Sequence, residues 1–195
     1  MNLLKYFKKK TLNTQIFKFQ KIHFDILPEY KSLINKYSLE MTANTTIEQI
    51  KSKSITLDSP LTSTLIIVIS NDQILQELNR KFRGLNKTTD VLSFSPTLNG
   101  LWHGKTKEKP THNKTKFPIT PETEKNFGEI IISLNQARIQ AEDNQKNIEY
   151  QLKILLIHGL LHLMGFDHEK NNEQAEMQQK EKKIIDLITS ERAPQ

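Results

Sequence analysis

The stretch from Ile148 to Met164, IEYQLKILLIHGLLHLM, constrains this chain more than any other. Read as a helix it is apolar almost all round, through Ile154, Leu155, Leu156, Ile157, Leu160, Leu161, Leu163 and Met164. A helix of that kind is buried. Gly165 follows and stops it, because glycine takes the left-handed conformation that ends helices. Yet the segment HGLLHLMGFDH, His158 to His168, holds three of the chain's six histidines within eleven residues.

The spacing explains them. His158 and His162 are four apart, so on a helix they share one face with Cβ atoms about 5–6 Å apart, and two imidazoles so placed can grip one ion. After the turn at Gly165, His168 can approach the same ion from the other side. Burial disfavours the imidazolium, and neutral imidazole is the form that binds metal. Three nitrogen ligands leave a fourth position open, as in catalytic rather than closed structural zinc sites. Three unrelated histidines would fall into this spacing by chance in roughly half a per cent of chains of this composition. Asp167 is either an acceptor for a ligand imidazole or a cap on the turn. Zinc proteases with H-E-x-x-H carry a general base next to the first histidine. Here that residue is Gly159, which weakens a peptidase reading.

The bulk numbers set the frame. The chain's 195 residues suit one domain with a real core, and 36% hydrophobic content supports folding. There is no cysteine, so any metal must use His, Asp or Glu; the absence also fits a reducing, cytoplasmic location. The longest apolar run is Leu65 to Ile69, far short of the roughly 20 residues of a membrane span. MNLLKYFKKK places its charge after a short apolar patch, the reverse of a secretory signal. The net charge is +6, and residues 1–22 hold six lysines and no acid, so the rest of the chain is balanced. That basic arm either attracts an anionic partner or is a solvated extension.

KIHFDIL (Lys21 to Leu27), TLIIVIS (Thr64 to Ser70), TDVLSF (Thr89 to Phe94) and GEIIIS (Gly128 to Ser133) read as strands. A helix is expected after Pro28, and Thr42 to Ser59 is polar and poorly specified. Asn71 or Asp72 caps a helix running to about Phe82, with Gly84 ending it. Further helices are expected over Leu134 to Asp143, Ile148 to Met164 and Glu173 to Ile188, the last offering Met177, Ile184, Ile185 and Ile188 to the core. These elements predict an α+β (mixed α/β) fold, a small mixed sheet of about four strands packed with helices, one of them a zincin-like metal-site helix. The expected organisation is a basic extension over 1–20, one domain over 21–188 and a tail over 189–195. Within the domain, 96–126 is Lys-, Thr- and Pro-rich and reads as a mobile insertion.

A second motif, NRKFRGLNKTTDVLSF, puts Arg80, Lys81, Arg83 and Lys87 into eight residues without an acid. Such a cluster can be a solvated helix end. Arg83, however, precedes Gly84 at a helix-to-strand turn, and guanidinium matches phosphate oxygens bidentately. Taken in order, FRGLNKTTDVLSF, GEIIIS and HGLLHLMGFDH resemble the motifs of the YbeY family, bacterial metal-dependent endoribonucleases, over roughly Lys21 to Ile188. The resemblance implies that His158, His162 and His168 are ligands to one zinc ion and that Arg83 is the functionally important arginine. It implies single-strand-specific cleavage in maturation of the 3′ end of small-subunit ribosomal RNA and in ribosome quality control. Its partners would be single-stranded or ribosomal RNA, the small ribosomal subunit and its assembly factors, with no membrane and no DNA. Thr88 stands where the family usually has proline, and Glu129 where it usually has aspartate.

A metal held by three histidines can polarise a phosphoryl oxygen or activate a water. Arg83 would hold the scissile phosphate and stabilise its developing charge. The nucleophile can be that water or the RNA 2′-hydroxyl, and a three-histidine site also suits nickel or iron. Two rival readings belong to other classes. One is a zinc metallopeptidase on the same scaffold; the other is a ribosome-binding assembly factor with a structural metal.

Overall fold

The computed structural model describes Phe19 and residues 21–51, 64–95, 126–166 and 171–190. The extension expected over 1–20, apart from Phe19, and the insertion expected over 96–126, apart from Asn126, lie outside the described residues. So do Asp167 and His168.

The chain runs β1 (Lys21–Ile26), a 3-10 turn (Pro28–Leu33), α1 (Lys36–Lys51), β2 (Thr64–Ser70), α2 (Asp72–Arg83), β3 (Val91–Phe94), β4 (Asn126–Ser133), α3 (Leu134–Asp143), α4 (Ile148–Leu163) and α5 (Asn171–Ser190). The four strands form one mixed sheet in the order β1-β2-β4-β3. β1 and β4 flank β2 in parallel, and β3 runs antiparallel at the edge beside β4. The α+β expectation holds.

Strand chemistry follows the side-chain alternation of a half-buried sheet. Leu65, Ile67 and Ile69 of β2 point into the main core, as do Ile130 and Ile132 of β4. A bulge opposite Thr64 and Leu65 lets β4 carry one extra residue, Phe127. That residue is turned onto the core face, where its ring meets Phe19 edge-on at 5.1 Å. Phe19 is itself buried, so the packed core begins before Lys21, where the sequence placed its start. Ile131 alternates to the other face of the sheet, as does Leu92 opposite it, and α2 packs there with the buried Leu75.

The helix expected after Pro28 is present as α1, but it runs further than its sequence suggests. The region from Thr42 to Ser59 was expected to be poorly specified, but α1 continues through it to Lys51. Leu39, Ala43, Ile47 and Ile50 recur at helical spacing and are all buried. The polar residues between them are accommodated: Thr42 and Thr46 donate their hydroxyls to the carbonyls four residues back, Ser38 and Thr42, at 2.8 and 2.7 Å.

α4 is the centre of the molecule. One side, through Leu152, Leu155, Leu156, Leu160 and Leu163, packs on the sheet and α1. Its other side, through Ile157 and Leu161, packs on Met177, Ile184, Ile185 and Ile188 of α5. Covered on both sides, it needs apolar residues all round. Asn147 caps its start by accepting from the Tyr150 amide at 2.8 Å, and Gly165 at φ 83° follows its end. None of the described helices is long and apolar enough to cross a membrane.

Candidate metal centre

His158 and His162 lie one turn apart on α4, next to its α5-facing residues Ile157 and Leu161. Their rings meet edge to face with centroids 4.5 Å apart. The Nε2 atoms of the two rings converge to 3.0 Å, while both Nδ1 atoms are engaged elsewhere. His162 Nδ1 donates to the Phe166 carbonyl at 3.0 Å, and His158 Nδ1 to Glu181 Oε1 of α5 at 2.7 Å. Phe166 is in place because Gly165 turns the chain and the Phe166 amide donates to the Leu161 carbonyl at 3.0 Å.

Two nitrogens bound to one tetrahedral zinc ion at about 2.0–2.1 Å stand roughly 3.3 Å apart. The Nε2 pair needs only a small outward movement to reach that separation. Its donor type suits zinc, and the engaged Nδ1 atoms are what metal-bound imidazoles normally have. The pair is two donors; among the described residues no group of three His, Asp or Glu side chains is gathered around one point. His168, the third expected donor, lies outside the described residues.

Gly159 acquires a physical reason. A Cβ there would stand 2.8 Å from Ile130 Cγ2 and 3.0 Å from Ser93 Oγ. The residue packs against the sheet, and Ser93 Oγ donates to its carbonyl at 3.2 Å. Any side chain there must push Ile130 or Ser93 aside, and the glutamate of a zinc protease would need far more room than a methyl group.

Arg83 closes α2, and Gly84 follows at φ 70° with its amide on the Arg80 carbonyl at 3.1 Å. Of the four basic residues in this stretch, Arg80, Lys81 and Lys87 are exposed and Arg83 is half-buried. Burial lowers the basicity of its guanidinium, and the nearby Asp90 carboxylate opposes that shift. Guanidinium keeps its proton in proteins, so the shift describes a poorly hydrated cation. The loop from Gly84 to Asp90 is strapped to α2. Asn79 Nδ2 donates to the Lys87 carbonyl at 2.7 Å and Thr88 Oγ1 to the Asp72 carbonyl at 3.0 Å.

Asp90 heads β3, accepting from the Val91 amide at 2.9 Å. β3 thus starts at Val91 instead of the expected Thr89. The other Asp90 oxygen accepts from Gln140 Nε2 of α3 at 2.8 Å, and Gln140 Oε1 accepts from Gln151 Nε2 of α4 at 2.7 Å. The histidine pair and Arg83 therefore sit on different elements. Among the described residues, hydrogen bonds tie the strand beside Arg83 to the histidine helix: Ser93 of β3 to Gly159, and Asp90 through Gln140 to Gln151. Glu181, Gln140 and Gln151 were absent from the sequence reading. A carboxylate in the midst of the α5 apolar spacing was the one signal that pointed to Glu181.

A small α+β domain whose central helix turns two imidazoles onto one point is the class that fold and geometry define. Comparison then supplies the family. The Endoribonuclease YbeY family profile matches residues 25–189. The chain is 34% identical over 165 residues to Endoribonuclease YbeY of Dehalococcoides mccartyi strain CBDB1, covering 83% of this chain and 89% of that one. It is 33% identical to Endoribonuclease YbeY of Brevibacillus brevis, covering 64% of this chain and 74% of that one. The solution structure of TM1509 from Thermotoga maritima aligns with a TM-score of 0.47 at 23% identity, covering 87% and 90% of the two chains. This chain belongs to the YbeY endoribonuclease family.

Proposed function

We propose that this protein is a cytoplasmic, zinc-dependent endoribonuclease. It cleaves single-stranded RNA at a site built from His158, His162, His168 and Arg83. Endoribonuclease activity follows from family membership. The observation that carries the site is the convergence of the His158 and His162 Nε2 atoms to 3.0 Å with both Nδ1 atoms engaged. His158, His162 and His168 would hold one zinc ion, which supplies Lewis acidity toward a phosphoryl oxygen or a water. Arg83 would clamp the scissile phosphate. Its half-buried, poorly hydrated guanidinium loses little hydration on taking an anion. The exposed Arg80, Lys81 and Lys87 around it would track the RNA backbone. The biological substrate is the 3′ region of small-subunit ribosomal RNA, reached together with the small subunit and its assembly factors.

The packing of Gly159 against Ile130 and Ser93 disfavours the peptidase alternative, since the protease base would need far more room than a methyl group. The test is metal analysis and cleavage of a single-stranded RNA by wild type, His162→Ala and Arg83→Ala prepared in parallel. Wild type should carry one zinc ion and cut; His162→Ala should lose both properties. Arg83→Ala should keep zinc and lose about 10²–10³-fold in rate, the scale for removing one donor to transition-state charge. Normal zinc content in His162→Ala would remove the three-ligand site, and zinc loss in Arg83→Ala would show Arg83 to be misassigned.

A further inference from the structure

We propose that Glu181 is a positioning residue that aims His158 at the metal, so that the grip on the ion depends on α5. The inference rests on the reading of His158 and His162 as metal ligands.

Glu181 is out of place by the pattern of its own helix. Met177 lies four residues before it, and Ile184 and Ile185 lie three and four after; all three are buried against Ile157 and Leu161 of α4. Residues at those spacings share one helix face. The Glu181 carboxylate therefore stands in the apolar stripe of α5, with its side chain only 18% exposed. Removing a carboxylate from water is costly without a partner. The partner here is His158 Nδ1, 2.7 Å from Oε1.

That bond has a directional consequence. A carboxylate accepts and does not donate, so the shared hydrogen belongs to His158 Nδ1. The lone pair of the neutral ring is then on Nε2, the atom that meets His162 Nε2 at 3.0 Å. An acceptor at Nδ1 fixes the ring's tautomer and rotation, and a charged acceptor also makes the imidazole a stronger donor to a metal. The proposed ligand set is all neutral, so Glu181 brings negative charge next to the ion without ligating it. The neighbouring residue reaches the surroundings of the second ligand. Lys180 Nζ sits 5.1 Å from the centroid of the Phe166 ring, and the Phe166 carbonyl takes the His162 Nδ1 hydrogen at 3.0 Å. α5 thus holds the His158 ring directly through Glu181 and touches, through Lys180, the residue whose carbonyl engages His162.

The test measures zinc affinity of the full-length chain by competition with a chromophoric chelator. The proteins are wild type, Glu181→Ala, Glu181→Gln, Lys182→Ala on the exposed side of α5, and His162→Ala. Glu181→Ala should weaken zinc binding about 10- to 100-fold, the usual effect of losing an outer partner of a ligand histidine. Glu181→Gln keeps an acceptor oxygen without the charge, is close to isosteric, and should fall in between. Lys182→Ala should match wild type. In the zinc-free proteins, ¹⁵N shifts of the His158 ring should report the Nδ1-protonated tautomer for wild type and a tautomer mixture for Glu181→Ala. If Glu181→Ala and Glu181→Gln bind zinc like wild type while His162→Ala does not, Glu181 only docks α5 and the inference fails. If His162→Ala itself binds zinc normally, the metal reading beneath it fails. An equal loss in Lys182→Ala would trace the effect to the helix and overturn the role of the carboxylate.

Discussion

At Gly159 the forces oppose one another, and their sizes decide the outcome. Alanine there would gain up to about 1 kcal/mol in helix propensity. Its Cβ would also stand 2.8 Å from Ile130 Cγ2, a branched methyl group held by the central strand β4. Overpacking a core contact typically costs about 1–3 kcal/mol. Gly159→Ala should therefore be destabilising by about 1 kcal/mol, read from urea unfolding, and Gly159→Glu by considerably more. A stabilised Gly159→Ala would mean that α4 lifts off the sheet without cost. The sequence revealed that the protease base was missing; the cause, a contact with Ile130 and Ser93, depends on pairings between distant segments. Glu129 offers a second test on the same strand. Burial raises its pKa above the ordinary carboxylate value. The folded state therefore binds this proton more tightly than the unfolded state, and its effect on stability becomes less favourable as pH rises through that interval. Glu129→Gln removes the effect. In thermal melts the variant should match wild type below the ordinary carboxylate range and gain on it as pH climbs past that range; a constant offset would refute the assignment.

Helices and strands were legible wherever one face had a single job. TLIIVIS, the Asn71 cap and the Gly84 stop all appear as the residues suggest. The second half of α1 failed that test because the helix's buried face mixes Leu39, Ala43, Ile47 and Ile50 with Thr42 and Thr46. The two threonines look like loop residues until their hydroxyls are seen to bond back along the helix. The relay joining three elements was beyond sequence reading altogether. Gln151, 6% exposed, donates to Gln140, which donates to Asp90 beside Arg83. Replacing Gln140 with Ala leaves a buried amide and a carboxylate oxygen without these partners. That loss costs about 1–3 kcal/mol. A double-mutant cycle with Gln151→Ala should show coupling of at least about 0.5 kcal/mol, as for residues in one hydrogen-bond network. Independent effects would mean that water replaces each glutamine separately.

On the scale of the whole molecule, the α+β class could be read from element order, but the strand order could not. β4 enters between β2 and β3, and only β3 runs antiparallel. Nothing in the alternation of hydrophobic residues says which edge a returning strand joins. The same limit hid Glu181, since its meeting with His158 depends on how α5 lies on α4. The metal reading nevertheless makes a global prediction. A ligand that binds the folded chain alone stabilises it by about 2.7 kcal/mol when present at about 100 times its dissociation constant. For a domain of this size that is a rise in Tm of roughly 5–10 °C. Zinc added to chelator-treated wild type should produce that rise. Arg83→Ala should show it equally, because Arg83 is assigned to the phosphate, whereas His162→Ala should show none. The effect should extend to amide-exchange protection in α5, because that helix meets the pair through Glu181 and packs on α4 through Met177, Ile184, Ile185 and Ile188. A zinc-dependent rise that persists in His162→Ala would place the stabilising ion elsewhere in the molecule and would leave the converging imidazoles without a metal to hold.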